Sequence, residues 1–304
     1  MKSKKNRKGD LFGMSEESDF GEFTKITIIG CGLIGGSLGL ALKKNQFPGQ
    51  IFCIDRKEVL KKAIDYGAID KGSENIKDGV KNADMVILAT PVSEIIQLIG
   101  KIKPFLSKKC LITDTGSTKM KIIQEVNAIL SDQHDFIGGH PMAGLEKGGI
   151  EHAKSDLFFK KPYITVSREQ NTPEASRRMT YFLEKLGAFE IKVTASEHDK
   201  IIALVSHVPQ LISVIMTNMF GQLVQEGYDE ECFKIGGNAF NELTRVASSP
   251  FSMWGDVFRT NNKWIINFID DLEKMLEIAK EKIISNPYDL EEDFKKACYY
   301  KEKM

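Results

Sequence analysis

The sequence predicts an α/β fold in which a Rossmann-type doubly wound sheet is followed by an all-helical domain. Two observations lead to this prediction. Short β-rich runs alternate with amphipathic stretches across residues 23–193, and after Thr194 the β-rich runs stop and long helical patterns take over. We therefore divide the 304 residues into a charged tail over 1–22, predicted to be disordered, an α/β domain over 23–193 and a helical domain over 194–304.

The predicted strands are short apolar runs rich in β-branched and aromatic residues. They are Lys25–Ile29, Gln50–Ile54, Met85–Ala89, Cys110–Thr113, Phe136–Gly138, Tyr163–Val166 and Phe189–Val193. Amphipathic stretches predict helices at Ile34–Lys44, Lys57–Tyr66, Val92–Ile99, Lys119–Leu130 and Pro173–Leu186. Because strands and helices alternate, the sheet should be mostly parallel, with ligands at the carboxyl ends of its strands.

The helical domain has two long patterns, Lys200–Val224 and Phe251–Ile284. The uncharged run inside the first contains several polar side chains, so we predict a buried helical segment and not a membrane span. The second carries an apolar stripe at helical spacing from Trp254 to Ile283. Such a stripe is typical of a core or a helix–helix interface.

Charge and composition exclude several classes of partner. The 42 Lys and Arg side chains equal the 42 Asp and Glu side chains, whereas proteins that bind nucleic acid or anionic membranes usually have a basic excess. The net charge of zero arises because the two domains have opposite net charges: residues 23–193 carry 25 basic and 19 acidic side chains, and residues 194–304 carry 12 basic and 18 acidic ones. Five cysteines and five histidines show no metal-ligand spacing. We therefore predict no metal site, and the scattered thiols suit a reducing cytoplasm.

A glycine-rich turn, GCGLIG at residues 30–35, joins the first strand to the first helix. In this setting Gly30 permits a tight turn, Gly32 lets a pyrophosphate approach the backbone, and Gly35 lets helix pack on strand. Leu33 and Ile34 open the helix, whose N-terminus offers N–H groups and a positive dipole end to phosphates. Residues 23–193 are therefore predicted to be a dinucleotide-binding domain.

Asp55 ends the second strand, twenty residues beyond Gly35, where a carboxylate accepts hydrogen bonds from ribose hydroxyls. It would repel a 2′-phosphate, so we predict NAD and not NADP as the cofactor. Arg56 is a complication, because it could pair with that phosphate if Asp55 turned aside. Thr90 and Pro91, at the end of a later strand, should lie beside the cofactor, although a turn before a helix explains them equally well.

Two further segments follow predicted strands, LITDTGSTK at residues 111–119 and FIGGHPMAGLEKGG at 136–149. His140 lies between Gly139 and Pro141 in the second, in what we predict to be a glycine-rich turn. Packing gives no reason for an imidazole there, whereas histidine near a nicotinamide is a usual base for an alcohol proton. By residue type alone, a catalytic and a structural role for His140 are equally supported.

Six segments, in this order and spacing, resemble the prephenate/arogenate dehydrogenase family of tyrosine biosynthesis. They are GCGLIGGSLGLAL, ATPVSEI, DTGSTK, GGHPMAGLEKGG, SHVPQLIS and TRVASSPFSMW. The resemblance implies NAD-dependent oxidative decarboxylation of prephenate to 4-hydroxyphenylpyruvate, CO2 and NADH. It implies that His140 accepts the proton of the 4-hydroxyl and that Ser117 orients His140 and that hydroxyl. Ser117 could also be the N-cap of the helix that follows it.

In the helical domain, the resemblance implies that His207 lies in the substrate pocket and that Arg245 binds a substrate carboxylate. Arg245, and His207 if protonated, would be local cations in an acidic domain. Without the resemblance, Arg245 could be a surface charge and His207 a packed residue. Trp254 matches an aromatic residue near the pocket mouth, with core packing an equal alternative, and Glu146 would help to shape the pocket. Many relatives have a second histidine where this chain has Gln210, a departure that bears on substrate selectivity and tyrosine inhibition.

The resemblance also implies a monofunctional cytoplasmic homodimer built by the helical domain, with L-tyrosine as a feedback inhibitor. The nearest alternative is an arogenate dehydrogenase, which gives tyrosine directly. A β-hydroxyacid dehydrogenase is a further alternative, but it would place a catalytic lysine in the helical domain. A non-catalytic NAD-sensing module would bind the cofactor without forming NADH from any cyclohexadienyl acid.

Overall fold

The computed structural model describes residues 23–304 other than 131–133, 146, 227 and 229, so the predicted tail and Glu146 lie outside the described residues. Within them the α/β part has one sheet. Its strands are β1 (Lys25–Ile29), β2 (Gln50–Ile54), β3 (Lys71–Ser73), β4 (Met85–Leu88), β5 (Leu111–Asp114), β6 (Asp135–Pro141), β7 (Pro162–Ser167) and β8 (Phe189–Lys192).

The strand order is β3-β2-β1-β4-β5-β6-β7-β8, and every neighbouring pair is parallel except β6 and β7. The predicted doubly wound sheet is therefore confirmed. The order reverses between β1 and β4, and a sheet of this kind binds ligands in the crevice at that point, outside the carboxyl ends of the strands.

Helices cover both faces of the sheet. They are α1 (Leu33–Lys44), α2 (Lys57–Asp65), α3 (Ile76–Val80), α4 (Val92–Ile102), α5 (Met120–Ile129) and α6 (Pro173–Lys185). Side chains of alternate direction along β1 enter two separate cores: Ile26 and Ile28 join one, and Ile29 joins the other. The sequence analysis missed β3, because its three residues, KGS, are mostly exposed and contain no apolar run.

The strand β6 is longer than predicted, and His140 lies in it instead of in a turn. Its parallel pairing with β5 reaches only Ile137, but its antiparallel pairing with β7 continues through His140, opposite Ile164, to Pro141. The glycines before His140 let β6 pass close to its neighbours. A Cβ on Gly139 would stand 2.5 Å from the carbonyl oxygen of Asp114.

The helical part consists of α7 (Ala195–Ile202), α8 (Val208–Gln225), α9 (Asn238–Thr244), α10 (Phe251–Thr260), α11 (Asn262–Ser285) and α12 (Glu291–Lys301). A π-helical turn over Ala203–His207 joins α7 to α8. The helical pattern predicted over Phe251–Ile284 forms two helices, α10 and α11, which are separated at Asn261. The buried Asn261 side chain donates a hydrogen bond to the carbonyl oxygen of Asp199 (2.7 Å).

The helical run Ala195–Leu223 is long and apolar enough to cross a membrane by length and composition, and 33% of its most apolar window is buried. This is weak evidence for a span, since the core helix of a soluble protein passes the same test. Three buried residues of the helical part, Ala203, Val208 and Ile265, form a small core with Trp264 and Phe268 packed against them.

Candidate active site

A cleft of about 540 Å³ lies at the carboxyl ends of β1, β2 and β4. Gly30 has a φ of +96°, in the region that favours glycine, and a Cβ there would stand 2.6 Å from the carbonyl oxygen of Ala89. A Cβ on Gly35 would stand 1.9 Å from the carbonyl oxygen of Gly30. Gly32 differs, because its added Cβ meets nothing within 4 Å. Gly30 and Gly35 thus pack too closely on neighbouring backbone for a side chain, whereas the space beside Gly32 is free for a ligand.

The start of α1 and the end of β4 face the same crevice. In the described part of the chain, no side chain caps α1 at Gly32, so the first N–H groups of the helix, those of Leu33 and Ile34 among them, lack a capping partner. The buried hydroxyl of Thr90, which lines the cleft, has no hydrogen-bond partner among the described residues. Pro91 is the N-cap residue of α4. These unsatisfied donors fit a dinucleotide phosphate and ribose.

Asp55 is held against the glycine turn. Its Oδ2 accepts a hydrogen bond from the N–H of Cys31 (2.7 Å), and its Oδ1 accepts one from the N–H of Arg56 (2.7 Å). The carboxylate therefore does not turn aside, and the guanidinium of Arg56 is largely exposed. This arrangement favours the ribose hydroxyls of NAD over a 2′-phosphate.

A second cavity, of about 290 Å³, brings together Ser117, His140, His207 and Trp254. The first two come from the α/β part and the other two from the helical part, so both parts of the chain build it. Arg245 does not line this cavity. It lies, exposed, in an adjoining groove of about 520 Å³, and the two spaces have Trp254 in their common wall.

His140 is the first of three connected side chains. Its Nδ1 lies 2.8 Å from Nε2 of His198, and Nδ1 of His198 lies 2.7 Å from Oδ1 of Asp199. Neither His198 nor Asp199 was predicted from the sequence. They sit in α7, 58 residues from His140, and their only sequence signal is an acidic residue directly after a histidine.

The carboxylate of Asp199 also caps α5. Its Oδ1 accepts from the N–H of Lys119 (2.7 Å) and its Oδ2 from the N–H of Met120 (2.9 Å). The N-cap residue of α5 is Lys119, so the interpretation of Ser117 as the N-cap is wrong. Ser117 instead lines the cavity beside His140.

A buried ion pair ties the Ser117 loop to β6. The Nζ of Lys119 lies 2.5 Å from Oδ2 of Asp114 and donates to the carbonyl oxygen of Gly116 (2.7 Å), and neither charged side chain is exposed. Asp114 in turn accepts hydrogen bonds from the N–H groups of Gly139 (3.1 Å) and Gly116 (2.7 Å). Burial lowers the pKa of Lys119, and Asp114 opposes that shift. The pair thus links the loop that carries Ser117 to the strand that carries His140.

His140 and His207 are both neutral at pH 7. Burial, assisted by His198, Lys119 and His207, holds the pKa of His140 well below its usual value. Burial also lowers the pKa of His207 to about 4. The condition under which His207 would be a local cation, protonation, is therefore not met at pH 7, because desolvation outweighs the attraction of nearby Asp199.

The tautomer of His207 follows from its neighbour. Asn261 uses the same amide nitrogen to donate to the carbonyl oxygen of Asp199 and to approach Nδ1 of His207 (3.2 Å). Nδ1 is then an acceptor, and the hydrogen of His207 is on Nε2. Within the described chain, both Nε2 of His207 and Nε1 of Trp254 are buried without a partner. Two residues of the cavity wall thus carry buried N–H donors that call for an acceptor.

Gln210 occupies the wall of the groove in which Arg245 lies. Its Nε2 donates to the carbonyl oxygen of Val246 (2.9 Å), the residue that follows Arg245. Gln210 therefore anchors the turn that carries Arg245. Among the described residues, no group of three His, Cys, Asp or Glu side chains is arranged to hold a metal ion.

Comparisons with known proteins agree with this arrangement. Family models described as the nucleotide-binding domain and the dimerization domain of prephenate dehydrogenase match residues 38–192 and 194–296. The chain is 32% identical to the prephenate dehydrogenase of Bacillus subtilis over 276 residues, which is 89% of this chain and 72% of that protein. It is 36% identical to the prephenate dehydrogenase of Lactococcus lactis over 261 residues, 85% of this chain and 71% of that one.

The fold is similar to a crystal structure of Aquifex aeolicus prephenate dehydrogenase in complex with hydroxyphenyl propionate and NAD+. The TM-score is 0.84 at 29% sequence identity, and the match covers 93% of this chain and 98% of that chain. An arogenate dehydrogenase from Synechocystis has the same fold, with a TM-score of 0.78 at 24% identity over 92% of this chain and 99% of that chain.

Proposed function

The chain belongs to the prephenate dehydrogenase family, and from that premise we propose how its residues carry out NAD-dependent oxidative decarboxylation of prephenate to 4-hydroxyphenylpyruvate, CO2 and NADH. One observation carries the proposal. A neutral imidazole, His140, shares a cavity with two N–H donors that have no partner in the described chain. Such a cavity can bind an oxyanion and remove a proton at the same time.

Bound NAD would supply the acceptor for the hydride that leaves ring carbon C4. His140 takes the proton of the 4-hydroxyl, a role for which a neutral imidazole at pH 7 is suited. Ser117 lines the same cavity and positions that hydroxyl. The resulting ketone draws the electrons of the departing carboxylate into the ring, which becomes aromatic, and the proton held on His140 returns to the ring oxygen to give the phenol. Gly30, Gly32, Gly35, Asp55 and Thr90 would hold the cofactor.

The substrate is held by donors from the helical part. His207 and Trp254 line the cavity, their Nε2–H and Nε1–H groups are buried without a partner in the described chain, and Arg245 lines the adjoining groove. We assign Arg245 to a substrate carboxylate, where a charged hydrogen bond contributes about 1.5–3 kcal/mol.

Prephenate fits the cavity better than arogenate. No carboxylate side chain of the described residues lines the space of about 290 Å³, whereas the ammonium group of arogenate needs an acceptor. Glu242 lines the adjoining groove and is the carboxylate that would accept from the ammonium group if arogenate bound.

The deciding experiment measures NADH formation by the purified protein with prephenate and with arogenate in parallel. We expect turnover of prephenate and a lower kcat/KM for arogenate. Absence of turnover with both substrates would refute the function. His140→Asn should lower kcat by about 10²–10⁴-fold while NAD affinity stays near normal. Arg245→Ala is the matched comparison, because it should mainly raise the KM for prephenate.

The organisation of the chain is part of the same proposal. We propose a dinucleotide-binding domain over 23–193 and a substrate and dimerisation domain over 194–304, and a cytoplasmic homodimer joined by the second domain. The match of residues 194–296 to a dimerization domain supports the dimer. Inhibition by L-tyrosine stays a prediction from the resemblance, and titration of the prephenate reaction with L-tyrosine tests it.

A further inference from the structure

We infer that His198 is a positioning residue for the catalytic base and that, together with Asp199, it fixes His140 in the tautomer whose Nε2 lone pair faces the substrate cavity. The inference rests on the proposed function, since it explains how the same base is held. Neither His198 nor Asp199 lines the cavity of about 290 Å³. Neither side chain therefore touches the substrate, and His198 acts on it through His140.

The carboxylate of Asp199 is almost fully buried. It accepts hydrogen bonds from the N–H groups of Lys119 and Met120 at the start of α5, where the helix dipole favours a negative charge. An ionised carboxylate has acceptors only. The contact of 2.7 Å between its Oδ1 and Nδ1 of His198 therefore requires a hydrogen on that nitrogen.

The hydrogen on Nδ1 of His198 determines the next contact. Burial lowers the pKa of His198 in spite of Asp199 beside it, so the ring is neutral and carries its lone pair on Nε2. That Nε2 lies 2.8 Å from Nδ1 of His140. Two lone pairs would repel at this distance, so Nδ1 of His140 is the donor. The lone pair of His140 is left on Nε2, the nitrogen that removes the substrate proton.

The same contacts act when His140 becomes positively charged. Its Nδ1–H then donates to His198, with the negative charge of Asp199 behind it, and this arrangement stabilises the cation. The buried cation of Lys119 opposes the effect. The titratable and charged groups around His140 are His198 and Asp199 from α7, Lys119 and Asp114 from the end of β5 and the loop after it, and His207 from the π-helical turn.

His198→Phe tests the role, because phenylalanine keeps an aromatic ring at this buried position and removes the acceptor. We expect kcat to fall by about 10–10³-fold, less than the roughly 10⁴-fold lost when a triad aspartate is replaced. The KM values for NAD and prephenate should change by less than about threefold. The acidic limb of the pH profile of kcat should move as well. His198→Gln should recover part of kcat, since its amide oxygen can accept from Nδ1 of His140.

Thr194→Ala is the matched control. Thr194 caps the same helix, α7, through a capping box with Glu197, but it takes no part in the chain of imidazoles. This variant loosens α7 and should leave kcat and its pH profile unchanged. If His198→Phe kept kcat near that of the unmodified enzyme, or if both variants lowered kcat equally, the positioning role would be refuted.

A measurement on the unmodified protein keeps the inference falsifiable even if a variant does not fold. In ¹⁵N-resolved NMR of the imidazoles, His140 and His198 should carry their hydrogen on Nδ1, whereas His207 should carry it on Nε2. A hydrogen on Nε2 of His140 would overturn the inference about His198. Full turnover by His140→Asn would instead overturn the assignment of the base, so the two failures are distinguishable.

Discussion

The α/β part and the helical part bury their apolar side chains to very different degrees. Ile26, Ile28 and Leu38 of the α/β part are fully buried in one of the two cores that the sheet separates. The helical part has a small core of three buried residues, and Leu276 on α11 is 60% exposed. An exposed apolar face of this extent is typical of a protein interface. The α/β part therefore completes its own core, whereas the helical part needs a second surface.

Charged groups show the same contrast. The α/β part contains the fully buried Lys119–Asp114 pair, which joins the loop of Ser117 to the strand of His140. On α11, ion pairs such as Lys280–Glu277 lie one helical turn apart, with more than half of each side chain exposed. Buried pairs are costly to break, and exposed pairs contribute little. Substitutions that match in chemistry and differ in location can therefore test the contrast.

The largest difference is expected for lysine removal. Lys119→Met leaves the Asp114 carboxylate buried without its cation and should lower the free energy of unfolding by about 3–5 kcal/mol. Lys280→Met removes an exposed partner and should change it by about 0.5 kcal/mol or less. Urea denaturation of both variants measures the values. Equal losses would contradict the contrast, and partial rescue of Lys119→Met by Asp114→Asn would confirm its cause.

The same Leu→Ala substitution should behave differently in the two parts. Leu38→Ala opens a cavity in a complete core and should cost about 2–5 kcal/mol at any protein concentration. Leu276→Ala lies on the exposed face of α11, so its cost should appear only where the dimer forms and should depend on protein concentration. Thermal unfolding across a hundredfold range of concentration, roughly micromolar to sub-millimolar, separates the two cases. A concentration-independent loss in Leu276→Ala would contradict the interface.

Low pH should reduce the free energy of unfolding through His207, which lies at the boundary between the two parts. Its pKa is lowered to about 4, so the unfolded chain binds a proton first as pH falls below about 6.5. Stability is lost as pH falls from 6.5 to 4, by at most about 3 kcal/mol from this group. His207→Asn should reduce that loss in urea denaturation at pH 7 and pH 4.5. An unchanged pH dependence would mean that His207 is not the group responsible.

The smallest of these effects is expected for charge placed on the two surfaces. Ile283→Glu on α11 should weaken the dimer by about tenfold or more, equivalent to about 1.4 kcal/mol. Ile64→Glu on α2 replaces an isoleucine of similar exposure, 50% against 59%, outside the helical part and should leave the dimer intact. Sedimentation velocity measures the assembly of both variants. If Ile64→Glu dissociated the dimer and Ile283→Glu did not, the interface would lie on the α/β part and not on the helical part.

The sequence predicted correctly the elements whose bounds depend on neighbouring residues in the chain. The bounds of β1 and β2 are as predicted, because continuous apolar runs between turn residues leave little choice of register. The break at Asn261 was not predicted, since the residues around it suit a helix. It is set by a hydrogen bond to Asp199, far away in the sequence. The same holds for the full length of β6, which depends on pairing with β7.

The sequence by itself determined the alternation of strands and helices, the glycine turn, the acidic residue at the end of β2 and the identity of His140 as a candidate base. These depend on periodicity, on the special backbone of glycine and on short motifs. Only the tertiary structure decided the protonation states and the hydrogen-bond partners of the histidines in the site. It placed His198 and Asp199 behind His140 and buried His207 so that its pKa fell to about 4. Desolvation and hydrogen bonding depend on what packs around a group, and the linear sequence does not contain that information.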